Sequence, residues 1–205
     1  MVTRIGHIAL HVADLDRAVE FQQQVVGMVE TERLAGTSYL TCNDRHHELI
    51  LVEDRANRGY EHIALEVADA GALDGAARRL TAAGGTMLGR VYDGEPGIDR
   101  ALKVRSPGGH VYKLFCGMER VEPPPAGDRP THFEHVSCKV RDHGAEERWA
   151  MHSHGSDRLA PPSRWRVACA TRSPGSSPGW ERSGAGRPSS LSLSLCSASG
   201  ASRCR

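Results

Sequence analysis

Gly6-His7-Ile8-Ala9-Leu10-His11-Val12-Ala13-Asp14 decides the fold, because the chain says it again. It recurs as Glu61-His62-Ile63-Ala64-Leu65-Glu66-Val67-Ala68-Asp69, and a third time as Glu134-His135-Val136-Ser137-Cys138-Lys139-Val140-Arg141-Asp142. Self-similarity of this kind marks a repeated structural unit. In each copy the apolar residues alternate (Ile8, Leu10, Val12; Ile63, Leu65, Val67; Val136, Cys138, Val140). Alternate residues of an extended strand share a face, so each copy reads as a strand with a core side and a second side that carries the histidine.

Working outward, Asp14 and Asp69 each stand where a helix N-cap is needed. After Asp14, Leu15, Ala18, Val19, Val25 and Val26 follow a helical period that Gly27 stops; after Asp69, Leu73, Ala76, Ala77 and Leu80 do so until Gly84-Gly85. Strand-like stretches follow both helices: Ser38 to Cys42 and Glu48 to Val52, then Met87 to Tyr92, Ala101 to Arg105 and Val111 to Phe115. The last two are joined by Ser106-Pro107-Gly108-Gly109, a turn by composition. The expected fold is α+β: two βαβββ units, 1–58 and 59–120, pair into a curved, mostly antiparallel sheet around a cavity faced by the histidines, with helices outside.

A linker containing Pro123-Pro124-Pro125 spans 121–130, and a further domain starts over 131–142. Composition then changes. Residues 143–205 contain no Ile, Phe, Tyr, Asn, Gln or Lys and are dominated by Ser, Arg, Gly and Pro, too little apolar material for a core. This tail is expected to be disordered, either as a genuine extension or, the preferred reading, as GC-rich DNA translated out of frame. Its tryptophans, Trp149, Trp165 and Trp180, have no periodic apolar partners, and the Ser-Leu alternation of Leu191 to Leu195 has no hairpin partner, so no structural weight is placed on either.

Composition narrows the function classes. The 26 Lys and Arg nearly cancel the 25 Asp and Glu, leaving +1, which excludes a nucleic-acid partner on electrostatic grounds. No stretch reaches the ~20 apolar residues of a membrane span, and residues 1–10 lack the pattern of a secretion signal, so a cytoplasmic location is expected. The six cysteines form no C-x-x-C and are expected to be reduced.

The repeat, the helix start Asp14-Leu15-Asp16-Arg17-Ala18-Val19-Glu20-Phe21, the stretch Arg45-His46-His47-Glu48-Leu49-Ile50-Leu51 and the hairpin Ser106 to Phe115 together resemble the vicinal oxygen chelate superfamily. Within it they are most similar to type I extradiol ring-cleaving dioxygenases such as catechol 2,3-dioxygenase and dihydroxybiphenyl dioxygenase. The resemblance covers about Thr3 to Asp142. It implies four such units in two domains, Fe(II) in the second domain, a catechol-type aromatic and dioxygen as substrates, and association into homo-oligomers. By family position His135 matches the first of three iron ligands; the second histidine and a glutamate have no counterpart here. Two histidines and a carboxylate on one side of Fe(II) leave positions open for a chelating catecholate and dioxygen, which one ligand cannot do. The chain as written is therefore expected not to cleave rings.

A second candidate metal set lies in the first domain. His7 and His62 hold equivalent places in the repeat, and Glu48 lies where some single-domain relatives place a carboxylate. The fourth position of that pattern is Lys113, whose ammonium repels a divalent ion, and the favoured expectation is a metal-free domain with hydrogen-bonded histidines. His46 and His47, read as neighbours on a strand, would point to opposite faces and are taken as structural. His143, His152 and His154 lie in the tail and are given no function. Besides the dioxygenase reading stand two alternatives: a bleomycin-resistance-like module that binds a small molecule without catalysis, and a glyoxalase-like metalloenzyme using His7, Glu48 and His62.

Overall fold

The structure, a computed structural model, describes residues 2–89, 92–125, 130–152 and 191–197. The first unit contains β1 (Val2–Val12), α1 (Leu15–Phe21), β2 (Val29–Leu34), β3 (Thr37–Thr41) and β4 (Leu49–Glu53). The second contains β5 (Gly59–Val67), α2 (Ala70–Ala82), β6 (Thr86–Met87), β7 (Tyr92–Glu95), β8 (Ile98–Arg105) and β9 (Val111–Met118). All nine strands form one mixed sheet in the order β2-β3-β4-β1-β5-β9-β8-β6, with β7 also on β8. The α+β class, the paired units and the largely antiparallel sheet are as the repeat predicts. In each unit the first strand lies parallel to the last, β1 to β4 and β5 to β9, and the units meet where β1 and β5 run antiparallel.

Both caps form as the sequence requires. The Asp14 carboxylate accepts from the Arg17 N–H at 3.0 Å and that of Asp69 from the Ala72 N–H at 2.7 Å, each satisfying a donor left over in the first helical turn. Past α1 the chain continues as a π-helical turn, Gln22–Val26, before Gly27 ends it at φ 82°. The wider turn displaces the helical phase, and Val25, an expected core position, is instead exposed. Between helices and sheet lies the main core, with Ile8, Val19, Leu40, Leu51, Leu73, Leu80, Leu102 and Leu114 buried in one cluster. β2 was not among the expected strands: Val-Glu-Thr-Glu-Arg-Leu is a mostly polar edge strand, without the apolar alternation by which half-buried strands are recognised.

The third repeat goes one element further than the composition break at Asp142. β10 (Pro130–Cys138) is followed by α3 (His143–Met151), and Asp142 caps it through the Ala145 N–H at 2.9 Å, the role Asp14 and Asp69 play in their copies. α3 docks on the second unit. Trp149 is buried, its indole lies 5.4 Å from the Tyr112 ring, and its Nε1–H donates to the Leu80 carbonyl at 3.2 Å. Buried Glu146 accepts from the Gly108 N–H at 3.1 Å. Trp149 is thus a core residue, not an incidental one. Its partners lie in another repeat, so no periodicity local to the tail could show them.

The Ser-Leu alternation also finds a partner. β11 (Leu191–Ser197) pairs antiparallel with β10, distant in sequence, and not with a hairpin neighbour. The rest of the proposed tail, 153–190 and 198–205, lies outside the described residues, as does the 126–129 segment of the linker. Among the described residues no helix is long and apolar enough to cross a membrane.

Candidate functional site in the cavity of the sheet

The face of the sheet away from the helices lines a cavity of about 400 Å³, walled by Ala9, Tyr39, Ile50 and Val52 and by His62, Glu61, Glu95, Lys103 and Lys113. Alternation brings the histidines there: with Ile8 and Ile63 committed to the helix side, His7 and His62 must face the other way. Their Nε2 atoms lie 3.1 Å apart across the β1–β5 seam.

Glu48, the expected carboxylate of this pair, does not join them. It is fully buried elsewhere, accepting from Asn43 Nδ2 at 3.0 Å, Arg4 at 3.3 Å and the Phe133 N–H of β10 at 3.2 Å. Burial pushes its carboxyl above the usual range, opposed by the Asn43 and Phe133 hydrogen bonds. His47 turns toward His7 instead, with ring centroids 4.4 Å apart. The reason is local. The strand expected from Arg45 begins only at Leu49, so strand alternation does not govern residues 45–48. His46 and His47 accordingly do not point to opposite faces; their Nδ1 atoms are 2.9 Å apart.

Glu95, which sequence reasoning missed, supplies the carboxylate nearest His7 among the described contacts. It sits at the end of β7, within 4.0 Å of His7 Nε2. Lys113 does reach the cavity, and its ammonium donates to Glu95 Oε1 at 2.6 Å and to Oε2. One ligand atom from each of His7, His47 and Glu95 lies within 4.8 Å of the others. The position of Glu95 in Tyr92-Asp93-Gly94-Glu95-Pro96-Gly97 reads as a turn, and nothing in its spacing points to His7.

Burial sets the protonation of this floor. Desolvation first, then neighbouring basic side chains, holds His7, His47 and His62 well below the ordinary imidazole value, so all three are neutral near pH 7. Desolvation likewise lowers Lys113 to about 8, against the pull of Glu95. Beside them His62 Nδ1 meets Glu61 Oε2, and Lys103 donates to Glu61 Oε1 at 2.7 Å.

His135 lies on β10. Its register is informative. Across the first seam His7 pairs with Ala64 and Ala9 with His62; across the second, His135 pairs with Ser194 and Ser137 with Ser192. β11 thus takes beside β10 the antiparallel place that β5 takes beside β1, and a serine, Ser192, stands where the second histidine stands in the first pair. At this register the β10–β11 pair therefore carries one histidine where the β1–β5 pair carries two.

Residues 4–113 match the model of the Glyoxalase/Bleomycin resistance protein/Dioxygenase superfamily. The chain is 27% identical over 125 residues to a manganese-dependent 2,3-dihydroxybiphenyl 1,2-dioxygenase of Geobacillus genomosp. 3, the match covering 60% of this chain and 39% of that protein. It therefore spans well under half of that relative. Among solved structures it resembles the 2,3-dioxygenase LapB from Pseudomonas sp. KL28 (22% identity, 75% of this chain and 59% of that one, TM-score 0.66). It also resembles homoprotocatechuate 2,3-dioxygenase from Arthrobacter globiformis (22%, 75% and 50%, TM-score 0.67). The repeated strand–helix units, the sheet they build and the matched family model place the chain in the glyoxalase/bleomycin resistance/dioxygenase superfamily.

Proposed function

We propose that the chain is an extradiol ring-cleavage dioxygenase-type protein, whose lineage acts on catechol-type aromatics with Fe(II) and dioxygen in the cytoplasm, and that this chain by itself does not cleave rings. The observation that carries the reading is the third repeat. β10 and the Asp142-capped α3 reproduce the opening of each preceding unit, as expected of a protein built from two paired domains, and the 27%-identical relative is itself a dioxygenase. Inactivity follows from the ligand set: His135 alone, with Ser192 at the register of the second histidine, cannot hold a metal with adjacent open positions.

Two proteins test this. The chain itself, supplied anaerobically with Fe(II) and then with 2,3-dihydroxybiphenyl and air, is expected to consume no oxygen; uptake that disappears in His135→Ala would overturn the inactivity. Residues 1–142 joined to the portion of the Geobacillus enzyme that follows its third repeat strand are expected to regain ring cleavage, lost on His135→Ala. A folded, metal-loaded chimera without activity would overturn the lineage reading.

The cavity supports a second reading, a small-molecule-binding module. Its apolar wall of Ala9, Tyr39, Ile50 and Val52 faces the ammonium groups of Lys103 and Lys113, a combination suited to an aromatic ring bearing ionised oxygen. Binding of such a ligand, unchanged by chelators and weakened by Lys103→Met, is the expected signature.

A further inference from the structure

β10 has β11 on one edge and, among the described residues, no strand on the other. A bare strand edge presents N–H and C=O groups that must find partners or water. At Thr131 and Phe133 the partners are side chains of the first unit. Asn43 Nδ2 donates to the Thr131 carbonyl at 2.8 Å, and Glu48 Oε2 accepts from the Phe133 N–H at 3.2 Å. In a parallel ladder one residue of the neighbouring strand makes this same pair of bonds, donating to residue i and accepting from residue i+2. Asn43 and Glu48 make it with side chains, and they are joined to each other, Nδ2 to Oε1, at 3.0 Å.

Both side chains are held by the first unit itself. Asn43 Oδ1 accepts from the Arg45 N–H at 2.9 Å, which turns Nδ2 toward β10. The Glu48 main chain is pinned on two sides, its N–H by the Leu40 carbonyl at 2.9 Å and its carbonyl by the Ile8 N–H at 3.0 Å. Arg4 Nη2 and Arg45 Nε, each 3.3 Å from Glu48 Oε1, supply the opposite charge that a buried carboxylate needs. The same loop grips the other end of the linker. The His46 N–H donates to the Glu119 carbonyl and the Val121 N–H to the Asp44 carbonyl, both at 3.0 Å.

We propose that residues 43–48 are a docking site for the third repeat, a clamp that takes an extended chain segment by its main-chain atoms at Thr131 and Phe133. The buried Phe133 ring, part of the main core, anchors the segment once it is seated. Because one loop holds the chain at 119–121 and again at 131–133, it sets where β10 starts along the first unit. The Arg45-His46-His47-Glu48 stretch thereby gains a role outside the cavity, with Glu48 as the acceptor of the clamp. Only a carboxylate fills that role: donors meet both of its oxygens, so a glutamine would turn its NH2 against one of them.

Amide exchange of the full-length chain, followed residue by residue by NMR, is the test. The Phe133 N–H should exchange at least tenfold faster in Glu48→Gln and in Asn43→Ala than in the wild type. Leu10 and Leu65, in the β1–β5 seam, should keep their wild-type rates. Thr131→Val, which leaves the main chain of the clamped segment intact, should leave Phe133 within threefold of wild type. Should Glu48→Gln not fold, Asn43→Ala, at a half-buried site, decides alone. Unchanged exchange at Phe133, equal acceleration in the seam, or a tenfold effect of Thr131→Val would each overturn the clamp: the first denies the contact, the second makes it general stability, and the third makes it side-chain recognition. None of these readouts passes through catalysis, so the clamp and the proposed function stand or fall separately.

Discussion

Replacing Trp149 with alanine should release α3 and remove a measurable part of the stability of the second unit. The indole is 4% exposed, stacks at a tilt on Tyr112 at 5.4 Å, and donates to the Leu80 carbonyl at 3.2 Å. A large aromatic buries roughly 200 Å², which at about 25 cal/mol per Å² is ~5 kcal/mol of transfer free energy. Truncations of buried Phe and Trp cost about 3–5 kcal/mol in general. The loss here saturates at the free energy with which α3 docks, because a nine-residue helix has no stability of its own once undocked. Two observables separate these contributions. Urea unfolding followed by circular dichroism should show a lower midpoint, by about 3 kcal/mol of stability, and amide exchange over 143–151 should become fast. Exchange should also quicken at Gly108, whose N–H donates to Glu146. Trp149→Phe, which keeps most of the area and loses the indole donor, should cost only about 1 kcal/mol. Unchanged exchange over 143–151 together with a shift below about 0.5 kcal/mol in Trp149→Ala would refute the docking of α3 and return residues 143–152 to the tail.

Other outcomes follow from the cavity and the caps. Lys113 titrates near 8 in the folded protein and at its ordinary 10.5 when unfolded, so between those values the unfolded chain holds more protons and stability rises with pH. From pH 8 to 10 the gain is about 2 kcal/mol; it should appear as the difference between wild type and Lys113→Met in urea melts, a subtraction that cancels the lysines, cysteines and tyrosines common to both. A flat difference would sink the assignment. Asp69→Ala should lower stability by about 1 kcal/mol by leaving the Ala72 N–H unsatisfied, with Asp69→Asn close to wild type in the same melts. Gly97 has φ +68°, and a Cβ there would lie 2.2 Å from His46 Cγ, so Gly97→Ala should destabilise the fold by more than 1 kcal/mol. The same variant should move the His46 imidazole resonance in NMR spectra.

The repeat made the two units, their caps and the division of β1 and β5 into a core face and a histidine face readable before any coordinates. Those features are local: each depends on residues within one strand or one helical turn. Glu95 escaped because its link to His7 is purely tertiary, made by β7 folding back on β8. His47 and Glu48 exchanged roles because β4 starts only at Leu49, leaving Arg45 to Glu48 of the motif stretch outside the strand, where the parity rule has no force. α3 was hidden for a different reason. Its sequence is poor in the aliphatic residues that reveal an amphipathic helix, and it is held by one tryptophan and one buried glutamate whose partners belong to the second unit.

Gly6 shows how fragile such parity arguments are. The pairing of β1 with β5 slips between Ile5 and His7, and a Cβ on Gly6 would lie 2.2 Å from the Phe115 ring. The extra residue lets Ile5 and Ile8, an odd and an even position, both reach the main core. It acts as a phase boundary in the strand. Without that slip, a regular strand of the same length would put Ile5 on the histidine face and Arg4 toward the leucines. Counting outward from the histidine in either direction therefore yields opposite faces for the same parity, and aligning this strand with its two later copies is sound only on the carboxyl side of that glycine.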